Sequence, residues 1–239
     1  LEVKIADTKT GESLPARAAG GVYVRGPNIF DGYLAKTRKE SSIDHEGWFD
    51  TGDLGCLESD GSLTLTGRSK DLIIRGGHNI DPATIEESAL SYAGVAIAAA
   101  VGQINAYAGE VPVLYIQLDS GVGDRFNLIE FKQHLASTIP EGPAIPKSTY
   151  IIESMPLTAV GKIYKPELRL DSARREFSRM VEKFPIQHGY SGLTVSLGKK
   201  GNLEVSLDKV EALEESIRTM LVKEIRSYPV TLPGLAEIA

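Results

Sequence analysis

The first part of the chain alternates apolar and polar positions in short runs. Val3 and Ile5 are separated by charged residues, a pattern that is typical of a half-buried strand. Two later apolar runs flank the pair Asp60-Gly61, which is a strong signal for a β-hairpin. This segment is therefore predicted to be rich in β-strands.

From Asp71 onwards the apolar residues switch between the spacing of strands and that of helices. Asp81 and Pro82 are typical of a helix start, with Asp81 as N-cap and Pro82 in the first position. A second, amphipathic helix is predicted where Asn127 and Glu130 have the spacing of a capping box. Strands are predicted over residues 72–74, 95–102, 111–119 and 149–152. The pattern predicts a small α+β domain.

The last part of the chain predicts a helix, a strand hairpin and a second helix. Pro166 is expected to begin the first helix, whose apolar residues recur on one face. Residues 194–197 and 203–207 are expected to pair across a turn at 199–202, and Asp208 is predicted to cap the second helix with Glu211 at its third position. The basic residues of the first helix are interleaved with glutamates, which indicates a solvated face rather than a phosphate site.

Composition narrows the class of protein. The 239 residues suggest one or two domains, and 42% hydrophobic with 24% charged residues is ordinary for a globular protein. The net charge of −6 argues against a general nucleic-acid binder. No apolar run approaches the ~20 residues that a membrane helix needs. The single cysteine, Cys56, fits a reducing cytoplasm and is interpreted as a small buried hydrophobic residue rather than a nucleophile. Because the chain begins inside a strand-like run and without Met, it is expected to be a piece of a longer protein.

Three strings stand apart from these patterns: Gly47-Trp48-Phe49-Asp50-Thr51-Gly52-Asp53-Leu54-Gly55, Gly67-Arg68-Ser69-Lys70-Asp71 and Pro156-Leu157-Thr158-Ala159-Val160-Gly161-Lys162-Ile163. Their order and spacing resemble the adenylate-forming superfamily of acyl-CoA and aryl-CoA synthetases, peptide-synthetase adenylation domains and luciferase. Those enzymes activate a carboxylate with ATP and then pass the acyl group to a thiol. The resemblance implies an α+β fold in three parts. Residues 1–69 would be the end of the large domain's β-barrel, 70–165 a mobile lid domain, and 166–239 an extension of unassigned role.

The resemblance also implies roles for single residues. Asp53 stands where the family binds the ribose of the nucleotide, and a carboxylate can accept hydrogen bonds from both hydroxyls of a diol. Arg68 is implied to contact the ribose or a phosphate, and the predicted hairpin can bring it beside Asp53. Lys70 stands at the family's hinge between two domains. Lys162 is implied to be the catalytic residue of adenylation, carried into the active site on a flexible loop to bridge the substrate carboxylate and the α-phosphate.

Gly76 and Gly77 are a weaker signal, because a glycine pair is more often just a turn. Followed by His78-Asn79-Ile80 and Pro82, they resemble the string that lines a pantetheine channel in relatives. The implied cofactors are therefore ATP/AMP, Mg²⁺ that comes with ATP, and coenzyme A, and the implied partner is a small-molecule carboxylate. No protein-bound metal is predicted, since the histidines lack the spacing of metal ligands.

The function expected from these residues is that of the C-terminal portion of an ATP-dependent acyl-CoA synthetase. Nothing in the chain resembles the family's phosphate loop or acyl pocket, so the chain alone is expected to be inactive. Two alternatives stay open: an adenylation domain that loads a carrier protein, and a non-catalytic binding module with the lid fold. A carrier would add a helical bundle with an attachment serine, and neither Ser191 nor Ser196 has suitable neighbours. Intact Asp53, Arg68 and Lys162 argue against the binding module.

Overall fold

The structure, a computed structural model, describes residues 1–8, 10–30, 43–184, 192–198, 202–208 and 213–232. The chain divides into two compact units, Leu1–Leu72 and Ile73–Ala239. Both units contain antiparallel strands, and all the α-helices of the described residues belong to the second. The α+β fold expected from the sequence is thereby confirmed. The functional segments 1–69, 70–165 and 166–239 remain predictions.

The first unit is a four-stranded antiparallel sheet in which chain order is also spatial order. Its strands are β1 (Glu2–Ala6), β2 (Gly20–Arg25), β3 (Phe49–Leu57) and β4 (Leu63–Arg68). The predicted hairpin at Asp60-Gly61 is confirmed by the pairing of β3 with β4. Gly61 has a φ of +85°, which glycine adopts without the steric cost of a Cβ. The large buried side chains of this unit are Ile5, Val22 and Trp48.

The second unit is built on a long hairpin of β7 (Val95–Asn105) and β8 (Gly109–Leu118). Strand β8 also pairs with β5 (Ile73–Arg75) and, in parallel, with β9 (Ser148–Ile151), while β6 (His78–Ile80) pairs with β5. Strand β7 continues past its predicted end at Gly102, because its partner β8 remains in register as far as Gly109. The outer edge of β7 has no strand beside it among the described residues.

Two helices cover one face of this hairpin. Helix α1 (Pro82–Leu90) begins as predicted, since the Asp81 carboxylate accepts the N–H of Ala83 at 2.9 Å. Helix α2 (Leu128–Thr138) is capped by Asn127, whose side-chain oxygen accepts two backbone N–H groups. The helices and strands enclose one core, whose buried members are Ile73, Ile80, Ile85, Ala89, Val95, Ala98, Ala100, Leu114, Ile116, Phe131, Leu135, Ile139 and Ala144.

The last part of the chain packs around a separate core. It consists of α3 (Lys165–Val181), the antiparallel pair β10 (Leu193–Leu197) and β11 (Leu203–Leu207), and α4 (Glu215–Ile225). Ile104 from the end of β7 joins this core, so the extension is attached to the long hairpin. The buried members are Ile104, Ala173, Phe177, Met180, Val195, Val205, Leu221, Ile225 and Tyr228.

The prediction that Asp208 caps the second helix of this part is wrong. Helix α4 begins at Glu215, with Glu214 in the N-cap position. Asp208 instead ends the strand pair, because its N–H donates to the carbonyl of Gly192 at 2.6 Å. The predicted turn residues 199–201 and Glu211 lie outside the described residues.

Replacing Phe177 by alanine is expected to lower the free energy of unfolding of the second unit by about 3–5 kcal/mol. Phe177 is fully buried, and its ring centroid lies 5.2 Å from that of Tyr228. Denaturant unfolding followed by circular dichroism would measure the loss. The matched control is Ile129→Ala on α2, where the side chain is exposed and the expected change is below about 0.5 kcal/mol. Equal unfolding of the two variants would contradict the packing of α3 described here.

Candidate functional site

Asp53 and Arg68 face each other on β3 and β4. They are direct partners in the strand register, and Arg68 Nε donates a hydrogen bond to Asp53 Oδ1 at 2.8 Å. The hairpin between them brings the two side chains together, as the sequence led us to expect. Their side chains are 27% and 52% exposed respectively, so the pair can be reached by a ligand.

Hydrogen bonds fix the backbone that presents Asp53. Thr51 Oγ1 donates to the carbonyl of Val22 at 2.8 Å and accepts the N–H of Asp53 at 3.1 Å. Gly52 has a φ of +71°, and its N–H donates to Asp50 Oδ1 at 2.9 Å. Within the Thr-Gly-Asp string, threonine therefore ties β3 to β2, glycine permits the positive φ at the register shift in β3, and aspartate is held in place.

Arg68, but not Asp53, is among the residues that line an open depression of about 230 Å³. Ser69 Oγ donates to the carbonyl of Gly52 at 3.2 Å and so joins two sides of its wall. A carboxylate has lone pairs beyond the one that Arg68 uses, so Asp53 can accept further hydrogen bonds from hydroxyl groups. The Asp53 carboxylate and the Arg68 guanidinium can thus bind a ligand that carries both hydroxyl and anionic groups. The lining residues of the depression are Phe49, Asp50, Thr51, Gly52, Arg68, Ser69 and Lys70.

Lys70 lies in the middle of a single 3₁₀ turn, Ser69–Asp71. The residues on either side, Arg68 and Leu72, have extended backbone angles, with ψ of 137° and 139°. The turn directly precedes the point at which the chain passes from the first compact unit to the second. This is a position where a few backbone angles could reorient a unit, and the hinge role of Lys70 stays a prediction.

Lys162 is carried by a hydrogen-bonded turn, which we call the Lys162 turn (residues 156–164). Thr158 N–H donates to the carbonyl of Lys162 at 2.7 Å, and the N–H of Lys162 returns to Thr158 Oγ1 at 3.1 Å. Gly161 has a φ of +78°, and its N–H donates to the carbonyl of Thr158 at 2.9 Å. The Lys162 side chain is exposed. Lys162 is therefore carried at the surface by a hydrogen-bonded turn.

Both ends of the Lys162 turn are anchored. Met155, just before it, is buried, and its N–H donates to Gln117 Oε1 at 2.8 Å. Near the other end, Ile163 packs against a core formed by β7, β8 and Leu168. Gln117 was not singled out from the sequence, because one polar residue near the end of an apolar strand gives no signal of a distant partner.

Gly76 and Gly77 form the turn between β5 and β6. Their neighbours Arg75 and His78 are paired, and the glycines have φ values of +56° and +88°. Two consecutive positive φ angles in a two-residue hairpin favour glycine for backbone reasons. A Cβ on either glycine would meet no atom within 4 Å, so close packing within the unit does not require them. The geometry of the hairpin turn thus accounts for the two glycines. Their role in a pantetheine channel stays a prediction.

The structure brings Asp53 and Arg68 together in the first unit, whereas Lys162, Gly76 and Gly77 belong to the second. Among the described residues, no group of three or more His, Cys, Asp or Glu side chains could hold a metal ion. No helix in the described ranges is long and apolar enough to cross a membrane.

Cys56 in β3 is only partly buried. Desolvation and a hydrogen bond to Glu58 raise the pKa of its thiol. A raised thiol pKa disfavours a role as a nucleophile.

Part of the chain matches the sequence profile of a known family. Residues 84–162 match the sequence profile of the AMP-binding enzyme C-terminal domain. The chain is 38% identical over 224 residues to the marinolic acid–CoA ligase of Pseudoalteromonas sp. (strain SANK 73390), a match that covers 91% of this chain and 34% of that enzyme. It is 34% identical over 169 residues to the 4-coumarate–CoA ligase of Pinus taeda, covering 70% and 30% respectively. The chain thus spans about a third of the length of these relatives.

Solved structures give the same result. ATP-bound MatB from Rhodopseudomonas palustris is 31% identical and has a TM-score of 0.65. The o-succinylbenzoate CoA synthetase MenE from Bacillus subtilis, in complex with the acyl-adenylate OSB-AMP, is 30% identical and has a TM-score of 0.62. Each comparison covers 70% of this chain and 33% of the other.

Thr158→Val is expected to accelerate hydrogen exchange at the Lys162 amide by roughly fivefold to tenfold, since a hydrogen bond contributes about 1 kcal/mol. The substitution removes the hydroxyl that accepts this N–H while keeping the shape of the side chain. Hydrogen exchange of the chain, resolved to single amides by NMR, measures the effect. Thr158→Ser, which retains the hydroxyl, is the control. The same exchange rate in both variants would contradict the turn.

Proposed function

We propose that this chain, which belongs to the adenylate-forming superfamily of AMP-binding enzymes, supplies the ribose-binding strands and the lid of an ATP-dependent acyl-CoA ligase. In the reaction a carboxylate attacks the α-phosphate of ATP, which releases pyrophosphate and leaves an acyl-adenylate. The CoA thiol then takes the acyl group and AMP is released. The observation that carries this proposal is the placement of Asp53 beside Arg68, 2.8 Å apart, on a strand pair bearing the Thr-Gly-Asp and Gly-Arg-Ser-Lys-Asp strings.

In this proposal Asp53 accepts hydrogen bonds from the two ribose hydroxyls of ATP. Arg68 holds the carboxylate in orientation and extends its remaining N–H groups toward the ribose or a phosphate. The hydrogen bonds of Thr51 and Gly52 support this role, because a fixed backbone presents the carboxylate without reorganisation when the nucleotide binds.

Lys162 would act in the first half-reaction. A carboxylate and the α-phosphate are both anionic, and an ammonium between them lowers the cost of bringing them together. Mg²⁺ would arrive with ATP and neutralise the departing pyrophosphate. Because the Lys162 turn is anchored at both ends, its lysine would reach the nucleotide through movement of the whole lid, with Lys70 as the pivot.

CoA would act in the second half-reaction, with its pantetheine beside the Gly76-Gly77 turn. The carrier-protein alternative receives less support, because the part of the chain after α3 includes the strand pair β10–β11 and not the all-helical bundle expected of a carrier. Ser196, one of the two serines considered for attachment, lies within β10. The proposed partners are therefore a small carboxylic acid and CoA.

The chain by itself is expected to show no acid-dependent pyrophosphate exchange above background with a panel of fatty and aromatic acids. The phosphate loop and acyl pocket that adenylation needs would be supplied by sequence preceding this chain. The same assay on a ligase that contains this chain after such an N-terminal domain is the positive control. Robust exchange by the chain alone would overturn the assignment of catalytic parts.

In that complete ligase, Lys162→Ala is expected to slow adenylation by ~10²–10³-fold, or about 3–4 kcal/mol, by analogy with removal of one preorganised transition-state donor. Thioester formation from supplied acyl-adenylate should be largely spared, because Lys162 serves only the adenylating arrangement of the lid. Measuring the two half-reactions separately tests this. Lys132→Ala, at an exposed lysine on α2, is the matched control. Equal losses in both half-reactions would contradict the role of Lys162.

A further inference from the structure

We propose that Glu86 is a positioning residue for Lys162: its carboxylate ties the first residue of α3, at the end of the Lys162 turn, to the edge of β7. This inference rests on the proposed function, because it matters for catalysis only if Lys162 acts in adenylation. Glu86 lies on α1, far from the Lys162 turn in sequence, and belongs to none of the strings to which a role was assigned.

One oxygen of Glu86 joins three elements. Its Oε1 accepts the backbone N–H of Ala100 on β7 at 2.8 Å, and the Lys165 ammonium at the start of α3 lies 2.8 Å from the same atom. The Glu86 and Lys165 side chains are only 20% and 18% exposed. At this exposure water and salt screen the ion pair less than they would on the surface.

The position of the carboxylate is set by the backbone of β7. Ala100 is fully buried, and its N–H points to the side of β7 that has no neighbouring strand among the described residues. A buried N–H without a partner is costly, so the Glu86 carboxylate is required at this point. Lys165 is consequently paired with a carboxylate that cannot move without losing its hydrogen bond to the Ala100 N–H on β7.

The Lys162 turn is adjacent to this contact. Lys165 follows Tyr164, whose N–H donates to the carbonyl of Pro156 at 2.8 Å and so closes the turn. Fixing Lys165 therefore fixes the end of the Lys162 turn, while the Met155–Gln117 hydrogen bond fixes its beginning. Together the two anchors determine where Lys162 is presented.

A merely structural role for Glu86 makes a different prediction. The lid would serve both half-reactions, so general destabilisation would slow both of them. A role that acts through Lys162 would slow adenylation alone. The split between the half-reactions thus distinguishes positioning from fold maintenance.

The test is Glu86→Gln in the complete ligase. Glutamine keeps an acceptor for the Ala100 N–H but removes the charge that holds Lys165. We expect kcat for adenylation to fall by ~10- to 10²-fold, because a misplacement of about 1 Å can cost that much. The KM values and thioester formation from supplied acyl-adenylate should stay within about twofold of the unmodified enzyme. Glu87→Gln, on an exposed neighbour in the same helix, is the matched control.

Lys165 supplies the second variant. Lys165→Met should reproduce the loss, Lys165→Arg should retain most of the activity, and the Glu86→Gln/Lys165→Met double variant should be no worse than either single one. Equal losses in both half-reactions, or full additivity of the two substitutions, would overturn the proposal.

A measurement on the chain alone separates this inference from the proposed function. Hydrogen exchange at the Gly161 and Lys162 amides should accelerate in Glu86→Gln while the α2 amides stay protected. Unchanged exchange in the turn would overturn the positioning role whatever the activity shows. If exchange accelerates but Lys162→Ala fails to separate the half-reactions, Glu86 still sets the turn, and the catalytic role assigned to Lys162 is what fails.

Discussion

The hairpin of β7 and β8 is buried on both faces, and the second unit depends on this constraint. Successive residues of a strand point to opposite sides. Ala98 and Ala100 accordingly belong to the core under α1 and α2, whereas Ala99 and Val101 belong to the core shared with the start of α3. A ribbon with no solvated face must be covered on both sides. The helices and the residues flanking the Lys162 turn provide that cover, so the turn takes its place from the requirement to bury apolar surface.

The same hairpin gives the two turns of proposed function their attachment points. At its tip, the carbonyl of Ala108 accepts the N–H of Gly76 at 2.8 Å, which anchors the glycine turn. Toward its other end, Gln117 accepts the N–H of Met155 and anchors the Lys162 turn. The groups proposed for the two half-reactions are thus tied to opposite ends of one hairpin. If the lid turned about a pivot, the Lys162 turn and the glycine turn would exchange places without any change in structure within the lid.

Local features such as hairpins and a helix cap were predicted well from the sequence. Contacts between residues that are distant in sequence were not. Both Asp81, followed directly by Pro82, and Asp208, with Glu211 three residues later, were predicted as helix caps. Asp81 caps α1, whereas α4 begins with Glu214 in the N-cap position. Pro82 directly follows Asp81 and fixes φ at the first helical position. The N–H of Asp208, in contrast, donates to the carbonyl of Gly192 at the end of a strand pair. The pairing of Asp53 with Arg68 was predictable because a short hairpin joins them. The contact of Glu86 with Lys165 was not, since only the packing of α1 and α3 against β7 brings those side chains together.

Helix α3 connects the Lys162 turn to the rest of the extension. Its early residue Leu168 packs in the core of the hairpin, and its later residue Phe177 packs in the core of the extension. Between them, Gln103 of β7 donates to the carbonyl of Ser172 at 2.8 Å, with both residues fully buried. The match to the marinolic acid–CoA ligase covers 91% of the chain and must include most of the extension, while the 70% covered by the 4-coumarate–CoA ligase need not. Because tertiary packing rather than propensity supplies most helix stability, a core at each end keeps α3 from fraying. The turn that carries Lys162 is therefore followed by a helix that is packed near both of its ends.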